Sequence, residues 1–133
     1  MNKTSATEWL EKAWHNLSGA KVLYDVNHYT DITAIELHYA VEKILKSFLA
    51  YENKKIPKTH DLVQIAKLVK GNIDLIDDYI LLKQISKYHI EESYPAFDRI
   101  MPSKDEMKDV LEFTNKLMDK VCNILQIDKD NLK

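Results

Sequence analysis

Cysteine, glycine, proline and arginine are all scarce in this chain of 133 residues. The one cysteine, Cys122, excludes an internal disulfide and a cysteine-rich zinc site. Two glycines and three prolines are too few for a turn-rich β fold, and they favour long helices. A net charge of −2 excludes an overall basic field for nucleic acid or a membrane surface.

Long apolar segments and nucleotide or metal signatures are also missing. No apolar run approaches the roughly 18 residues of a membrane span. The N-terminal segment MNKTSATEWLEK carries charges where a signal peptide needs an apolar core, so we expect a cytoplasmic protein without membrane association. There is no glycine-rich phosphate loop or dinucleotide fingerprint, and no two histidines have close metal-ligand spacing. We therefore expect neither a cofactor nor a metal site.

Apolar residues at helical spacing dominate what is present. They make up 45% of the chain, enough for one domain over residues 1–133 with a core at about 5–127. The segment 36–50, ELHYAVEKILKSFLA, has a wide apolar stripe and a polar line of His38, Glu42 and Lys46. Residues four apart share a helix face, so we expect Glu42 to contact both neighbours. This line has two interpretations: a structural pair at the surface or between helices, and a functional site.

The same periodicity predicts an all-α fold. Helix-start signals are Ser5 with Glu8, Asp31, Thr59 or Asp61, and Ser103 with Glu106. In the first helix Gly19 predicts the close approach of a neighbouring helix, and Gly71 suits a C-terminal cap. The five predicted helices comprise residues 6–27, 31–52, 61–70, 74–89 and 103–127. Mostly short connections imply an antiparallel up-and-down bundle, followed by a frayed tail at 128–133.

Two connections are candidates for function. The polar loop 53–60 carries three lysines and His60, and it is interpreted either as a solvated loop or as a phosphate-binding cluster. The segment 90–102 is rich in aromatics and carries the only arginine, Arg99. Tyr94 in this segment has a ring on which a base can stack.

In their order and spacing, four segments resemble the HEPN family, helical domains associated with nucleotides. The likeness covers roughly residues 5–127. Its motifs are the alanine-spaced WLEKAWHNLSGAKVL of the first helix, AVEKILK at 40–46, PKTHDL at 57–62, and SYP at 93–95, where the family often has Arg-Tyr-Pro.

The resemblance implies a bundle of four long helices plus one short helix, paired as a homodimer. It also implies a small nucleotidyltransferase partner, in a toxin–antitoxin pair or a split transferase, and a nucleotide or RNA as ligand. The predicted nucleotide-binding residues are Glu42, Lys43, Lys46, Lys58, His60 and Tyr94.

The chain departs from the ribonuclease motif of the family, an arginine followed four to six residues later by a histidine. No histidine follows Arg99, and Ser93 stands where the family has arginine. We therefore expect a non-catalytic binding protein. One alternative is a divergent ribonuclease toxin that uses Lys87, His89 and Tyr94. A second alternative is a structural interaction module.

Overall fold

The computed structural model describes residues 1–93 and 101–133, and for residues 90–93 it describes the backbone alone. The described residues form five α-helices and no strand, which confirms the all-α prediction. The helices are α1 (Lys3–Asp25), α2 (Thr30–Tyr51), α3 (Leu62–Leu68), α4 (Tyr79–Ser93) and α5 (Lys104–Leu125). None of the described helices is both long enough and apolar enough to cross a membrane.

The central element is α2, which packs against each of the other four α-helices. Its apolar stripe is buried, and Phe48 and Ile44 are fully inaccessible. The start of α1 lies beside the end of α2, since the Asn2 N–H donates to the Tyr51 carbonyl at 2.8 Å. The two helices are therefore antiparallel. A side chain on α2 meets residues from several elements at once, and this position decides where the candidate site lies.

Helix starts agree with the predictions where a local cap decides them. The Ser103 hydroxyl accepts from the Glu106 N–H at 3.0 Å, and Asp61 caps α3. The first helix begins earlier than predicted, at Lys3, because the Asn2 side chain accepts from the Ser5 N–H at 3.0 Å. The start of this helix is also held by a tertiary contact, between Asn2 and the end of α2. Asp31 was predicted as a cap and lies instead within the first turn of α2.

Several predicted helix ends were wrong. α3 ends at Leu68, so Gly71 is not its cap. A 3-10 turn at Ile76–Asp78 precedes α4, and α4 continues to Ser93, into the predicted connection 90–102. The rest of that connection up to residue 100, with Tyr94 and Arg99, lies outside the described residues.

The predicted frayed tail is also wrong. Residues Lys129–Asn131 form a 3-10 turn. Beyond it the Lys133 N–H donates to the Glu11 carboxylate at 2.8 Å, and its main-chain oxygen lies 2.7 Å from His15 Nε2. These contacts attach the end of the chain to α1, and no local sequence pattern predicts them.

The space beside Gly19 is open, contrary to the close helix approach predicted from the sequence. A Cβ placed on Gly19 meets no atom within 4 Å outside its immediate surroundings. Its backbone is helical, so the glycine costs helix propensity without a packing benefit.

We expect Gly19→Ala to raise the free energy of unfolding by about 1 kcal/mol, the usual difference between these residues inside a helix. Chemical denaturation measures the change. Gly19→Gln is the companion variant, because an open site also accepts a long polar side chain. Destabilisation by either substitution would contradict the open space at this position.

Candidate functional site

A line of three polar side chains is buried on the central helix. His38, Glu42 and Lys46 occupy successive turns of α2 and are 0%, 5% and 4% exposed. His38 Nε2 lies 3.2 Å from Glu42 Oε1, and Lys46 Nζ donates to Glu42 Oε2 at 3.1 Å. The predicted contacts of Glu42 with both neighbours are confirmed. The line lies in the interior, however, so its interpretation as a surface pair is wrong.

Two other elements contribute to this line. His60, in the loop before α3, places its Nδ1 2.7 Å from Glu42 Oε1. From α4, the Ile85 carbonyl oxygen lies 3.0 Å from His38 Nδ1. We call the group of His38, Glu42, Lys46 and His60 the Glu42 network. The helix α2 and the loop before α3 therefore meet at the Glu42 carboxylate, and α4 is linked to it through His38.

Local hydrogen bonds fix the loop that carries His60. The Thr59 hydroxyl accepts from the Asp61 N–H at 3.1 Å, and Asp61 in turn caps α3. The first N–H of α3, from Leu62, donates to the Ser86 hydroxyl on α4 at 3.0 Å. These bonds hold His60 between α2 and α4, so its approach to the Glu42 network depends on packing as well as on the loop.

A second imidazole covers His60. The His89 ring, on α4, stacks on the His60 ring with centroids 4.0 Å apart and planes at 22°. The Tyr39 ring meets His89 edge-on at 5.9 Å. The His60 side chain is 46% exposed, whereas that of Glu42 is 7% exposed. The site is therefore a buried carboxylate connected to solvent through a half-exposed imidazole.

The electrostatics keep this carboxylate ionised. Burial raises the pKa of Glu42, but hydrogen bonds with His38 and His60 and the charge of Lys46 outweigh it, and the pKa falls from 4.5 to about 2. Burial lowers the pKa of His89, and the neighbouring imidazoles of His60 and His38 lower it further. At neutral pH the site therefore combines a carboxylate anion with a neutral His89.

The fold brings three of the predicted nucleotide-binding residues together, namely Glu42, Lys46 and His60. Lys46 is buried and neutralises Glu42, so its ammonium faces the interior. Lys43 leaves α2 toward α1, where its Nζ donates to Asn16 Oδ1 at 2.7 Å. Burial lowers the pKa of Lys43.

The remaining predicted residues lie apart or outside the described chain. Lys58 is exposed, next to a shallow depression that Lys55 and Leu68 also line. Lys87 is exposed on α4, and it precedes His89 by two residues, which separates the two side chains by about 200° around the helix. Tyr94 lies outside the described residues. Helix geometry therefore does not place Lys87 and His89 on one face.

Sequence reasoning missed the clustering of the histidines. No two of them have close ligand spacing along the chain, yet ligand atoms of His38, Glu42 and His60 all lie within 4.8 Å of one another. The spacing of His38 and Glu42 on α2 is visible in the sequence. The approach of His60 and His89 has no local signal, since it depends on how α3 and α4 pack on α2.

The comparisons with known proteins place the chain near one family. The HEPN domain family model matches residues 6–125. No curated protein sequence matches the chain significantly. Among solved structures, TT1696 from Thermus thermophilus is similar, with a TM-score of 0.76 and 23% sequence identity, over 93% of this chain and 99% of that one. At this identity the structural likeness shows the fold alone.

We expect Glu42→Gln to lower the free energy of unfolding by about 2–4 kcal/mol at pH 7. The substitution removes the negative charge that the buried Lys46 and the half-exposed His60 pair with. The folded pKa lies below the ordinary value, so this stabilisation is complete above about pH 4.5 and is lost as the pH falls toward 2. Denaturation at a series of pH values is therefore expected to show that the difference in stability between Glu42→Gln and the unchanged protein becomes smaller as the pH falls.

The control is Glu112→Gln, which neutralises an exposed carboxylate on α5. We expect it to change stability by less than about 0.5 kcal/mol. A Glu42→Gln deficit that stays constant down to low pH would contradict the proposed role of the ionised carboxylate.

Proposed function

Because the chain belongs to the HEPN family, we propose that it is a non-catalytic, nucleotide-associated binding protein. In this proposal it acts as a homodimer with a small nucleotidyltransferase partner, in the cytoplasm. The observation that carries the binding role is the stacked pair of imidazoles, His60 and His89, at the solvent edge of the Glu42 network. The dimer and the partner rest on the family resemblance.

The stacked imidazoles and the lysines of the loop suit different parts of a nucleotide. A base presents a π-face, and an aromatic ring at the surface gives it a stacking platform regardless of its identity. Exposed Lys55 and Lys58 belong to the same loop as His60 and supply mobile positive charges for phosphates. Tyr94 directly follows the last residue of α4 in the sequence, and we include it in the proposed site.

The non-catalytic part of the proposal rests on the missing arginine–histidine motif. Arg99 is the only arginine and no histidine follows it. A lysine holds a phosphate as a point charge, but it lacks the flat two-pronged donor geometry of arginine. The lysines of this chain are therefore sufficient for holding a phosphate, whereas the arginine and histidine that the family uses for RNA cleavage are missing.

One observation favours the second candidate function, a divergent ribonuclease toxin. The carboxylate of Glu42 accepts from His60 Nδ1, and such a bond fixes the tautomer and leaves Nε2 for proton transfer. His60 then acts as the general base, and the neutral His89 is next to it. Lys87, His89 and Tyr94, the catalytic set suggested by the sequence, would have to act with His60.

We expect a nucleotide or short RNA to raise the melting temperature of the purified protein. A ligand that binds only the folded state adds about 2.7 kcal/mol at 100 times its dissociation constant. The thermal shift is expected to disappear in His60→Ala, because this substitution removes one ring of the stack. His28→Ala, which removes an exposed imidazole elsewhere, serves as the control.

Each variant is compared with its own melting temperature without ligand, so a loss of stability is not mistaken for a loss of binding. If no member of a panel of nucleotides and short RNAs shifts the unchanged protein, the binding proposal fails. Co-purification with a coexpressed nucleotidyltransferase tests the partner separately, and light scattering tests the homodimer.

The ribonuclease alternative predicts that expression arrests growth and that the purified protein cleaves cellular RNA. Both effects are expected to fall at least ~100-fold in His60→Ala, the usual scale for a lost general base. His89→Ala and Tyr94→Ala test the other suggested groups. Intact RNA and normal growth with the unchanged protein would exclude this alternative and leave the binding proposal standing.

A further inference from the structure

A backbone carbonyl fixes the orientation of the His38 ring. The Ile85 carbonyl oxygen only accepts hydrogen bonds, so His38 Nδ1, 3.0 Å away, carries a proton and donates it. In the neutral ring Nε2 then has a lone pair. This lone pair is directed at Glu42 Oε1, 3.2 Å away, which is itself an acceptor. Two acceptors in contact inside a protein repel each other unless a proton or a metal ion lies between them.

The hydrogen bond from His38 to the Ile85 carbonyl is of the kind that metal-binding histidines make with their other ring nitrogen. A histidine that binds a metal through one ring nitrogen commonly donates from the other to a carbonyl or carboxylate, which orients the ring. Lys46 Nζ donates to Glu42 Oε2 at 3.1 Å, so the other carboxylate oxygen, Oε1, is the one that contacts His38. His60 Nδ1 approaches the same Oε1 at 2.7 Å from the solvent side.

Two of the three separations between ligand atoms suit a small divalent ion after a modest adjustment, and the third, between His38 and His60, is at most 4.8 Å. Bonds of about 2.0–2.1 Å in tetrahedral geometry separate neighbouring ligand atoms by about 3.3 Å. The contact of His38 with Glu42, at 3.2 Å, already has this separation. The contact of His60 with Glu42, at 2.7 Å, has to lengthen by about half an ångström on the same geometric argument. The His60 side chain is half-exposed, so its ring has open space on one side for this small shift.

We propose that His38 Nε2, Glu42 Oε1 and His60 Nδ1 form a binding site for one divalent transition-metal ion of the zinc type. Two imidazoles and one carboxylate are typical zinc ligands, and a fourth position remains for water on the exposed side of His60. The ion replaces the proton on His60 Nδ1, and the ring then carries its proton on Nε2. The inference goes beyond nucleotide binding and does not depend on it.

The donor set also determines which ions are expected. Imidazole nitrogen favours zinc, cobalt and nickel, whereas magnesium and calcium prefer oxygen ligands. The ammonium of Lys46 beside Glu42 opposes a second positive charge, so the affinity is expected to be lower than in a site without it. His89 packs on the His60 ring and is not part of the proposed ligand set.

The experiment uses the full chain, stripped of metal with a chelator and dialysed at pH 7.5. Equilibrium dialysis against Zn²⁺ is expected to find one bound ion per chain, and Mg²⁺ is expected not to compete. Titration with Co²⁺ is expected to give the visible absorption of tetrahedral cobalt. Zn²⁺ is also expected to raise the melting temperature, because binding to the folded state alone adds stability.

His60→Ala and Glu42→Gln test the site, and His15→Ala and His28→Ala are the matched controls. We expect each site variant to lose roughly 100-fold or more in Zn²⁺ affinity, since even supporting groups around a metal contribute 10–100-fold. The controls are expected to keep it. His60→Ala alters a half-exposed loop residue, so it remains informative where Glu42→Gln folds poorly.

Two results would overturn the proposal. One is the absence of stoichiometric Zn²⁺ binding, which would leave the contact between His38 and Glu42 as an ordinary hydrogen bond of the folded chain. The other is binding that survives in His60→Ala or that disappears in a control variant, which would assign the metal to other histidines. Neither result bears on nucleotide binding, which the thermal shift with nucleotides measures independently.

Discussion

The buried carboxylate of Glu42 is the constraint on which the site depends. An ionised carboxylate removed from water is costly unless donors and charges replace its hydration. Here Lys46 and His38 come from its own helix, and His60 comes from a loop 18 residues further along the chain. Satisfying this one group therefore positions the loop before α3, and His38 in turn links the group to α4 through the Ile85 carbonyl.

The same arrangement divides the site into a rigid part and an adjustable part. His38 and Glu42 are buried on adjacent turns of α2, and helix geometry sets their separation. His60 and His89 lie at the edge, where a half-exposed ring is able to meet a ligand. A ligand or ion at this edge would act on a preformed interior, and preorganisation of this kind reduces the cost of binding.

Membership of the HEPN family and the chemistry of the site describe different levels of the protein. The family match and the likeness to TT1696 concern the bundle. Function has to be argued from the site, since one fold supports many activities. In this chain the arginine–histidine motif is missing, whereas a carboxylate with three histidines in or beside its network is present. The chemistry of the site therefore differs from that implied by the ribonuclease motif.

The sequence by itself determined the all-α class, the apolar stripe of α2, the contacts of Glu42 with His38 and Lys46, and the cap at Ser103. These features follow from helical periodicity and from residues at most four positions apart, so local stereochemistry is sufficient. Only the tertiary structure decided that His60 and the Ile85 carbonyl meet α2, the latter 47 residues from His38. It also decided that the tail docks on α1 and that Gly19 faces open space. Such contacts depend on how complete helices pack against one another, and a local sequence pattern does not specify which distant residue a side chain will contact.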